Sequence, residues 1–281
     1  MSERPAAPFG RRLLTVTAND PLGSYRVLRV ADPDGPPPAA GQFAMLAAAE
    51  RWGAGEDERP YLPRAFSYAR FARDEAHFLL EDVGPGTRRL CELGEGDGLW
   101  LLGPLGQGFC ESQDGRRALL VGGGVGIAPL AIWQDELAAA GQAARVLLGF
   151  RDSGHAEGAA LLDGVSGEAG QAGHVALATD DGSVGHHGFV TDLLSVDLDR
   201  DSDATVYACG PPPMLEAVRA LCSERGVPAQ LALEAGMACG FGACYGCVIP
   251  AREGYLRVCL DGPVIAAERL DVVGAHGGAD G

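Results

Sequence analysis

The sequence predicts a multidomain α+β protein with an N-terminal antiparallel β-barrel, a central parallel α/β domain and a small cysteine-rich C-terminal domain. Residues 11–110 consist of short segments that alternate apolar and polar residues between turn signals, a pattern typical of antiparallel strands. From about residue 116, short apolar runs alternate with segments of helical spacing, which indicates a parallel sheet. Near the end, "MACGFGACYGC" places three cysteines and three glycines within residues 237–247.

The segments can be named in order. The predicted barrel strands are "RRLLTVTA", "YRVLRVA", "GQFAMLAA", "RAFSYAR", "AHFLLEDV" and "GLWLLG". The predicted strands of the parallel sheet are "RRALLVGGG", "ARVLLGF", "HVALATDD" and "ATVYACG", and "PAQLALE" precedes the cysteine-rich third region. The two clearest helices are "IAPLAIWQDELAAAG" and "PPMLEAVRALCSERG". Helices that alternate with strands in this way cover the faces of a parallel sheet.

The composition argues against a nucleic-acid or membrane partner. The 281 residues are 47% hydrophobic, which supports buried cores, and carry a net charge of −16. All 22 basic residues are arginine. Nucleic acids and anionic membranes repel such an acidic chain. The first sixteen residues contain no long apolar run, so we expect no signal peptide, a cytoplasmic location, and cysteines that are reduced or bound to metal.

The cysteine spacing predicts a metal-binding loop. Cys239, Cys244 and Cys247 follow the pattern C-x4-C-x2-C, and Cys259 lies twelve positions later, which is the plant-type [2Fe–2S] arrangement. The glycines between them permit the positive φ angles that a loop wrapped around a cluster needs. Structural zinc and unrelated thiols are the alternatives. Zinc sites more often pair two C-x2-C knuckles, and only one such pair is present, so the spacing favours the cluster.

Two loops indicate a nucleotide site in the α/β region. The first, "LLVGGGVGIAP", contains Gly122, Gly123, Gly124 and Gly126. It lies between a strand and a helix, where backbone N–H groups can bind a pyrophosphate. The second, "YACGPPPM", contains Cys209, Gly210 and Pro211. It follows a later strand, at the edge where α/β sheets bind ligands, although either loop alone is also an ordinary strand-to-helix connection.

The N-terminal region contains two candidate phosphate-binding features. "RAFS" places Arg64 and Ser67 on a predicted strand, and "GPGTRRL" places Gly86 and Thr87 at the start of a short helix. Arginine pairs with phosphate, and a glycine–threonine turn supplies N–H and hydroxyl donors. A surface arginine and a capped helix explain each motif equally well when it is taken alone.

Together these motifs resemble the ferredoxin reductase superfamily, and more closely the electron-transfer subunits of NAD-dependent (type B) dihydroorotate dehydrogenases. The resemblance extends over nearly the whole chain, through "RAFS", "GPGTRRL", "GPLGQGF", "VGGGVGIAPL", "TDDGSVG", "CGPPPML", "MACGFGACYGC" and "VCLDGPVI". The cysteine segment is its most specific part. The separation of Cys247 and Cys259 is shorter than in many members, which leaves the shape of the closing hairpin open.

The resemblance implies three domains and a role for each motif. The domains are an FAD-binding barrel at 10–111, an NAD-binding α/β domain at 112–230 and a [2Fe–2S] domain at 231–281. The implied flavin residues are Arg64, Ala65, Phe66, Ser67, Leu79, Leu80, Glu81, Gly86 and Thr87. The implied nucleotide residues are Gly122, Gly123, Gly124, Gly126, Cys209, Gly210 and Pro211, with Cys209 as the catalytic candidate beside the nicotinamide. The implied cluster ligands are Cys239, Cys244, Cys247 and Cys259.

The resemblance also implies a route for electrons. A separate FMN-containing catalytic subunit oxidises dihydroorotate in pyrimidine biosynthesis, and electrons pass through the cluster and FAD to NAD+. This chain would then contain no dihydroorotate site, and would form a heterotetramer with two copies of each subunit. Related subunits that serve a hydrogenase, a sulfide dehydrogenase or a glutamate-synthase-like partner are the alternative. A stand-alone reductase and a zinc-binding module without enzymatic activity are more distant ones.

The residues leave the choice between NAD and NADP open. Arg151 follows the strand "RVLLGF", where an arginine can approach the 2′-phosphate of NADP. An ordinary solvated arginine explains the same position. The resemblance favours NAD.

Overall fold

A computed structural model describes residues 10–53, 60–112, 115–163 and 175–273. The N-terminal region forms a closed antiparallel barrel with the strand order β1–β2–β5–β4–β3–β6, which confirms the predicted barrel. Its elements are β1 (Arg12–Leu22), β2 (Tyr25–Ala31), β3 (Phe43–Ala48), β4 (Arg64–Ala72), β5 (Glu75–Leu80), α1 (Pro85–Cys91) and β6 (Gly98–Leu105).

The barrel is filled by the apolar residues of the alternating strands. Val16, Leu28 and Phe78 are completely buried, because every second side chain of a strand points to the same face. Strand β4 lies between β3 and β5, with Ser67 opposite Phe43 of β3. Helix α2 (Ile127–Ala139) of the central domain packs against β4. Strand β4 therefore lies where the two domains meet.

The central region forms a sheet with the order β10–β9–β8–β7–β11–β12, whose strands are parallel, as predicted for an α/β domain. A seventh strand, β15 (Val264–Ala266), comes from the C-terminal region and lies beside β12. The elements of the central region are β7 (Arg117–Gly123), α2 (Ile127–Ala139), β8 (Ala144–Phe150), α3 (Ser153–Ala156), α4 (Ala160–Asp163), β9 (Val175–Thr179), β10 (His186–His187), α5 (Val190–Arg200), β11 (Ala204–Cys209), α6 (Pro212–Arg225) and β12 (Ala229–Ala232). Cys209 lies opposite Gly122 in the parallel register, so both predicted nucleotide loops leave the same edge of the sheet. No helix in these ranges is long and apolar enough to cross a membrane.

The C-terminal region contains a cysteine loop, a hairpin and one further strand of the central sheet. Its elements are β13 (Val248–Ala251), β14 (Gly254–Arg257), α7 (Val258–Asp261) and β15 (Val264–Ala266). Strand β15 pairs antiparallel with β12, which joins this region to the central sheet. The proposed boundary between residues 230 and 231 falls inside β12, and positions from 274 onward lie outside the described residues. The domain limits stay predictions.

Candidate functional site

Two clefts open where the barrel, the carboxyl ends of the central strands and the segment after β12 meet. The smaller cleft has a volume of about 330 Å³ and the larger about 580 Å³. Val125 and Glu234 line both of them, so the two clefts share a wall. A ligand in one cleft therefore lies next to a ligand in the other.

The smaller cleft lies between β4 and the segment that follows β12. The predicted flavin residues that line it are Arg64, Ala65, Phe66, Ser67, Leu79 and Thr87. Leu233, Ala235 and Met237 line it as well. Largely apolar walls with a guanidinium among them suit a planar aromatic ring that is joined to a phosphate group.

The guanidinium of Arg64 lies against the turn that begins α1. A Cβ atom at Gly86 would lie 2.6 Å from Arg64 Nε, so the missing side chain at Gly86 provides the space that the guanidinium occupies. Arg64 Nη1 donates a hydrogen bond to Leu62 O at 2.6 Å. The Thr87 hydroxyl accepts one from Gly84 N–H at 3.0 Å and fixes the turn. A positive charge held beside a glycine turn fits the diphosphate of FAD.

Two of the predicted flavin residues lie elsewhere. Leu80 is completely buried in the barrel core. Glu81 lies in the larger cleft, where its Oε1 atom is 3.3 Å from His155 Nε2 and 3.6 Å from Arg151 Nη2. Strand β5 ends at Leu80, so Glu81 is already past the barrel wall that Leu79 contributes to the smaller cleft.

Backbone forms the inner wall of the larger cleft. The predicted nucleotide residues that line it are Gly123, Gly124 and Pro211. Gly210 lies behind this wall, where a Cβ atom would be 2.6 Å from Met214 Cε. Gly122 also lies behind it, with Ile127 Cγ2 3.0 Å from the position of a Cβ atom. The glycines thus allow the following helices to pack close to the strand ends.

Gly126 and Cys209 form the contact between the two nucleotide loops, at the smaller cleft. A Cβ atom at Gly126 would lie 2.5 Å from Cys209 O, so the two backbones touch directly. Cys209 is buried, and burial, with a smaller effect of the Glu234 carboxylate, raises the pKa of its thiol well above the usual value. The thiol therefore stays protonated at neutral pH and is a packing group rather than a nucleophile.

Titratable side chains surround the outer part of the larger cleft. They are Glu81, Arg151, His155 and Asp180. His155 lies between two carboxylates, because its Nδ1 atom is 2.7 Å from Asp152 Oδ1 and its Nε2 atom faces Glu81. Tyr25 packs edge-on against His155 with 5.4 Å between ring centroids. Burial and the charge of Glu81 raise the pKa of Tyr25, so its phenol is neutral.

The four predicted cluster cysteines lie in one loop and in the helical turn behind it. Cys259 N donates to Cys247 Sγ at 3.5 Å, and Gly246 N donates to Cys244 Sγ at 3.4 Å. Cys247 and Cys259 are buried, Cys239 is half-buried and Cys244 is exposed. Within the described ranges, no three His, Cys, Asp or Glu side chains lie close enough to share a single metal ion. The candidate donor set is four thiols, three in the loop and one in α7.

Backbone N–H groups of the loop point at these thiols. Burial acts to raise the pKa of Cys239, but hydrogen bonds from the backbone of Cys244 and Phe241 outweigh it and lower the pKa to about 7. Burial, reinforced by the neighbouring Cys247, raises the pKa of Cys259 to about 12. Thiols with inward N–H donors are the donor set of an all-cysteine [2Fe–2S] cluster, and the residues fit that group.

The cysteine loop depends on glycine where it packs against the barrel. Gly240 has a φ of +79°, and a Cβ atom there would lie 2.5 Å from Met45 Cγ in β3. Gly242 has a φ of +84° and lies directly against Leu260. These two positions combine a left-handed backbone with close approach, so other residues are excluded from both. Through Gly240 the loop packs against the same barrel that lines the smaller cleft.

Sequence reasoning missed several lining residues. Those of the smaller cleft include Glu234, Ala235 and Met237, and those of the larger cleft include Asp180 and Phe189. Two of them had a signal, because Glu234 directly follows the apolar run "LAL" and Asp180 follows a strand at the ligand-binding edge. Phe189 had none, since its place at the cleft depends on how α5 packs.

Comparisons with known proteins agree with this geometry. The iron–sulfur cluster binding domain of dihydroorotate dehydrogenase B matches residues 234–271, which include all four cluster cysteines. An oxidoreductase NAD-binding domain matches residues 120–220, which include both nucleotide loops. Two relatives are named "Dihydroorotate dehydrogenase B (NAD(+)), electron transfer subunit". The one from Caldanaerobacter subterraneus subsp. tengcongensis is 38% identical over 84% of this chain and 88% of its own length, and the one from Bacillus pumilus is 35% identical over 82% and 86%.

Solved structures share the fold. A chain from the structure of an NADH-dependent reduced ferredoxin-NADP oxidoreductase, studied for flavin-based electron bifurcation, has a TM-score of 0.76 and 25% identity over 94% of this chain and 91% of its own. A ferredoxin NADP+ reductase from Neisseria gonorrhoeae, with bound FAD and NADP, has a TM-score of 0.62 and 16% identity over 77% and 92%. The second likeness shows the fold alone. Together with the identities above, these findings show that the chain belongs to the family of electron transfer subunits of dihydroorotate dehydrogenase B.

Proposed function

We propose that the chain is the electron-transfer subunit of an NAD-dependent dihydroorotate dehydrogenase in pyrimidine biosynthesis. It passes electrons from the FMN of a separate catalytic subunit through a [2Fe–2S] cluster and FAD to NAD+. The names of the relatives support a catalytic partner. The FMN group, the assembly of two copies of each subunit and the cytoplasmic location are predictions that follow from the resemblance and the sequence.

One observation carries the proposal: a single segment both lines the smaller cleft and opens the cysteine loop. Residues 233–237 line the cleft that Arg64 and Phe66 also line, and Cys239 follows two positions after Met237. The loop then packs on Met45 of the barrel through Gly240. A group held by the cysteines is therefore adjacent in the chain and in space to a group held by the cleft.

The residues of the smaller cleft hold and shield the flavin. When bound, FAD exchanges both hydrides and single electrons, which is the chemistry needed between NAD and a cluster. Arg64 donates hydrogen bonds to the diphosphate, since its guanidinium already lies beside the Gly86 turn. Phe66 and Leu79 exclude water from the ring. The protonated Cys209 thiol packs on the same wall.

The residues of the larger cleft hold the nucleotide. Gly123 and Gly124 leave the backbone open to a pyrophosphate at the strand end. Val125 and Glu234 belong to both clefts, so these two residues would separate a nucleotide in the larger cleft from a flavin in the smaller one. The charged outer part, with Asp180 and Arg151, receives the adenosine.

A rival proposal keeps the cofactors and changes the partner. The same two clefts would serve a hydrogenase, a sulfide dehydrogenase or a glutamate-synthase-like protein, and the neighbour with a TM-score of 0.76 is described as a ferredoxin-NADP oxidoreductase. Identities of 38% and 35% with named dihydroorotate dehydrogenase subunits favour the dihydroorotate partner.

Co-expression tests the proposal. The chain is produced with a dihydroorotate dehydrogenase-like protein and purified without oxygen, and its visible spectrum is recorded before dihydroorotate and NAD+ are added. We expect flavin and iron–sulfur bands, and NADH formation that requires both proteins. A flavin and a cluster that NADH reduces, without a response to dihydroorotate, would favour the rival partner. Bound zinc without flavin bands would contradict both proposals.

A further inference from the structure

Arg257 contacts both parts of the cysteine set. It is the last residue of β14 and precedes Cys259 by two positions. Its Nη1 atom donates to Gly242 O at 3.4 Å, and its Cζ atom lies 5.3 Å from the ring centroid of Tyr245. Gly242 and Tyr245 belong to the loop that carries the other three cysteines. One side chain therefore ties that loop to the turn that carries Cys259.

The loop has a backbone that needs such support. Tyr245 lies between Cys244 and Gly246 with a φ of +61°, a left-handed conformation that residues with a side chain rarely adopt. Its ring is 64% exposed, so little of it is held by the protein core. A guanidinium over the ring stabilises this conformation, because a planar cation is attracted to an aromatic face.

The charge of Arg257 is also directed toward the loop that carries three of the cysteines. The Arg257 side chain is only 27% exposed, so solvent screens its charge less than that of a surface arginine. Its counter-charge from the turn behind is Asp261, whose Oδ2 atom accepts a hydrogen bond from Arg257 N at 2.8 Å and lies 4.0 Å from Arg257 Nε. The guanidinium extends past this carboxylate toward the loop, where it donates to Gly242 O.

We propose that Arg257 positions the cysteine loop and raises the reduction potential of the cluster that the loop holds. The inference rests on the proposed function, because it requires a [2Fe–2S] cluster on the four cysteines. Each electron that the cluster takes from the partner's reduced flavin would add one negative charge to it. The cluster is already anionic because four thiolates ligate it. A nearby positive charge favours the reduced form. Arg257 itself is neither oxidised nor reduced and forms no bond to the cluster.

Three variants of the full chain, purified without oxygen, separate the two roles of Arg257. Arg257→Met removes the charge, and Arg257→Lys keeps the charge without the planar group. Arg252→Met is the matched control, because Arg252 lies in the turn of the same hairpin but contacts Leu270 O and Asp271, each at 3.3 Å. The readouts are the midpoint potential from an EPR-monitored titration and the rate at which an iron chelator bleaches the cluster absorbance.

We expect Arg257→Met to lower the equilibrium constant for one-electron reduction about tenfold, which corresponds to about 59 mV. We also expect it to lose the cluster several-fold faster than the parent chain. Arg257→Lys should keep the parental potential and lose the cluster faster, since an ammonium group cannot stack in the same way. Arg252→Met should match the parent in both readouts.

A parental potential and a parental bleaching rate in Arg257→Met would overturn the inference, and so would an equal drop in potential in Arg252→Met. If Arg257→Met takes up no cluster, the Arg257→Lys variant tests both roles. A parental bleaching rate in Arg257→Lys would rule out the positioning role. A lowered midpoint potential in Arg257→Lys would rule out the charge effect. A wild-type chain without the EPR signal of a reduced [2Fe–2S] cluster would overturn the proposed function and this inference together. Unchanged variants of a cluster-containing chain overturn this inference alone.

Discussion

The two clefts share a wall, and apolar side chains dominate the lining of both, but they differ in their titratable groups. The smaller cleft includes Phe43, Phe66, Leu79 and Met237, with Arg64 and Glu234 among its titratable side chains. The larger cleft has Glu81, Arg151, His155 and Asp180 in addition to the shared Glu234. A cleft with few titratable groups suits a ring that stays bound, whereas a larger cleft with more of them suits a nucleotide that arrives and leaves. Residues 233–237, which lead into the cysteine loop, all line the smaller cleft, and only Glu234 of them also lines the larger one.

Removal of a cluster ligand tests the sequence of larger cleft, smaller cleft and cysteine loop, and it has the largest expected effect. In Cys247→Ala the loop loses one of its four thiolates, so we expect no [2Fe–2S] EPR signal and no dihydroorotate-dependent NADH formation. Oxidation of NADH by ferricyanide, which needs only the two clefts, should be unchanged. The control is Cys222→Ala, a buried cysteine of α6 outside the loop. A stable cluster in Cys247→Ala would contradict the assigned ligand set.

The contact between the two nucleotide loops, next to the wall that the clefts share, is the next target. In Gly126→Ala the new Cβ atom would lie 2.5 Å from Cys209 O, so the backbone must move, and such overpacking costs about 1–3 kcal/mol. We expect a lower Tm and weaker binding of both FAD and NADH. Gly94→Ala is the control, because its Cβ atom would meet nothing within 4 Å. Loss of only one of the two affinities would show that the clefts are separate.

Arg64 should affect the smaller cleft alone. In Arg64→Met the flavin loses charged hydrogen bonds to its diphosphate, so we expect FAD affinity to fall about tenfold in a fluorescence titration. Binding of ADP-ribose to the larger cleft, followed by calorimetry, should not change. Arg70→Met is a matched control on the same strand, where Arg70 pairs with Asp135 at 3.4 Å. Unchanged FAD affinity in Arg64→Met would remove Arg64 from the flavin site.

Glu81 should affect the larger cleft alone, and more weakly. Its pairing with Arg151 partly neutralises the one arginine that lines this cleft among the described residues. Partly exposed ion pairs contribute about 0.2–1 kcal/mol, so Glu81→Gln should raise the ratio of kcat/KM for NADPH to that for NADH about two- to fivefold. The control is Glu92→Gln, which removes an exposed pair with Arg51. An unchanged ratio would mean that Arg151 does not reach the 2′ position.

The smallest effect concerns Glu234. Its side chain is exposed, yet it lines both clefts, and the partial loss of water around the carboxylate raises its pKa. A carboxyl whose pKa is raised on folding destabilises the folded chain once it ionises, so the penalty is absent below the unfolded-state pKa and complete above the folded-state pKa. Glu234→Gln should therefore raise the Tm of the ligand-free chain slightly at neutral pH and leave it unchanged below about pH 4. If Glu234→Gln raised the Tm more in acid than at neutral pH, the result would contradict a raised pKa of Glu234. The exposed Glu224 provides the control substitution.

The sequence predicted those parts of the molecule that one stretch of chain forms by itself. Alternating residues predicted the barrel strands, and the spacing of the cysteines predicted a loop that the structure places in one unit. Glu81 shows the limit, because it follows Leu79 and Leu80 in the chain but lies in the other cleft once β5 has ended. Phe189 shows the same limit of sequence-based prediction. Its position at the cleft depends on the packing of α5 against a sheet formed by distant segments. Residues that meet only after folding leave no pattern in their own neighbourhood.

The most direct measurement is an anaerobic titration of the isolated, cofactor-loaded chain with NADH, followed by visible absorbance and EPR. Because the smaller cleft touches the larger cleft on one side and leads into the cysteine loop on the other, NADH should bleach the flavin and then produce the EPR signal of a reduced cluster. In Cys247→Ala the flavin should bleach without that signal. A wild-type chain in which NADH bleaches the flavin, while a cluster that dithionite can reduce stays oxidised at every NADH concentration, would contradict the proposed path.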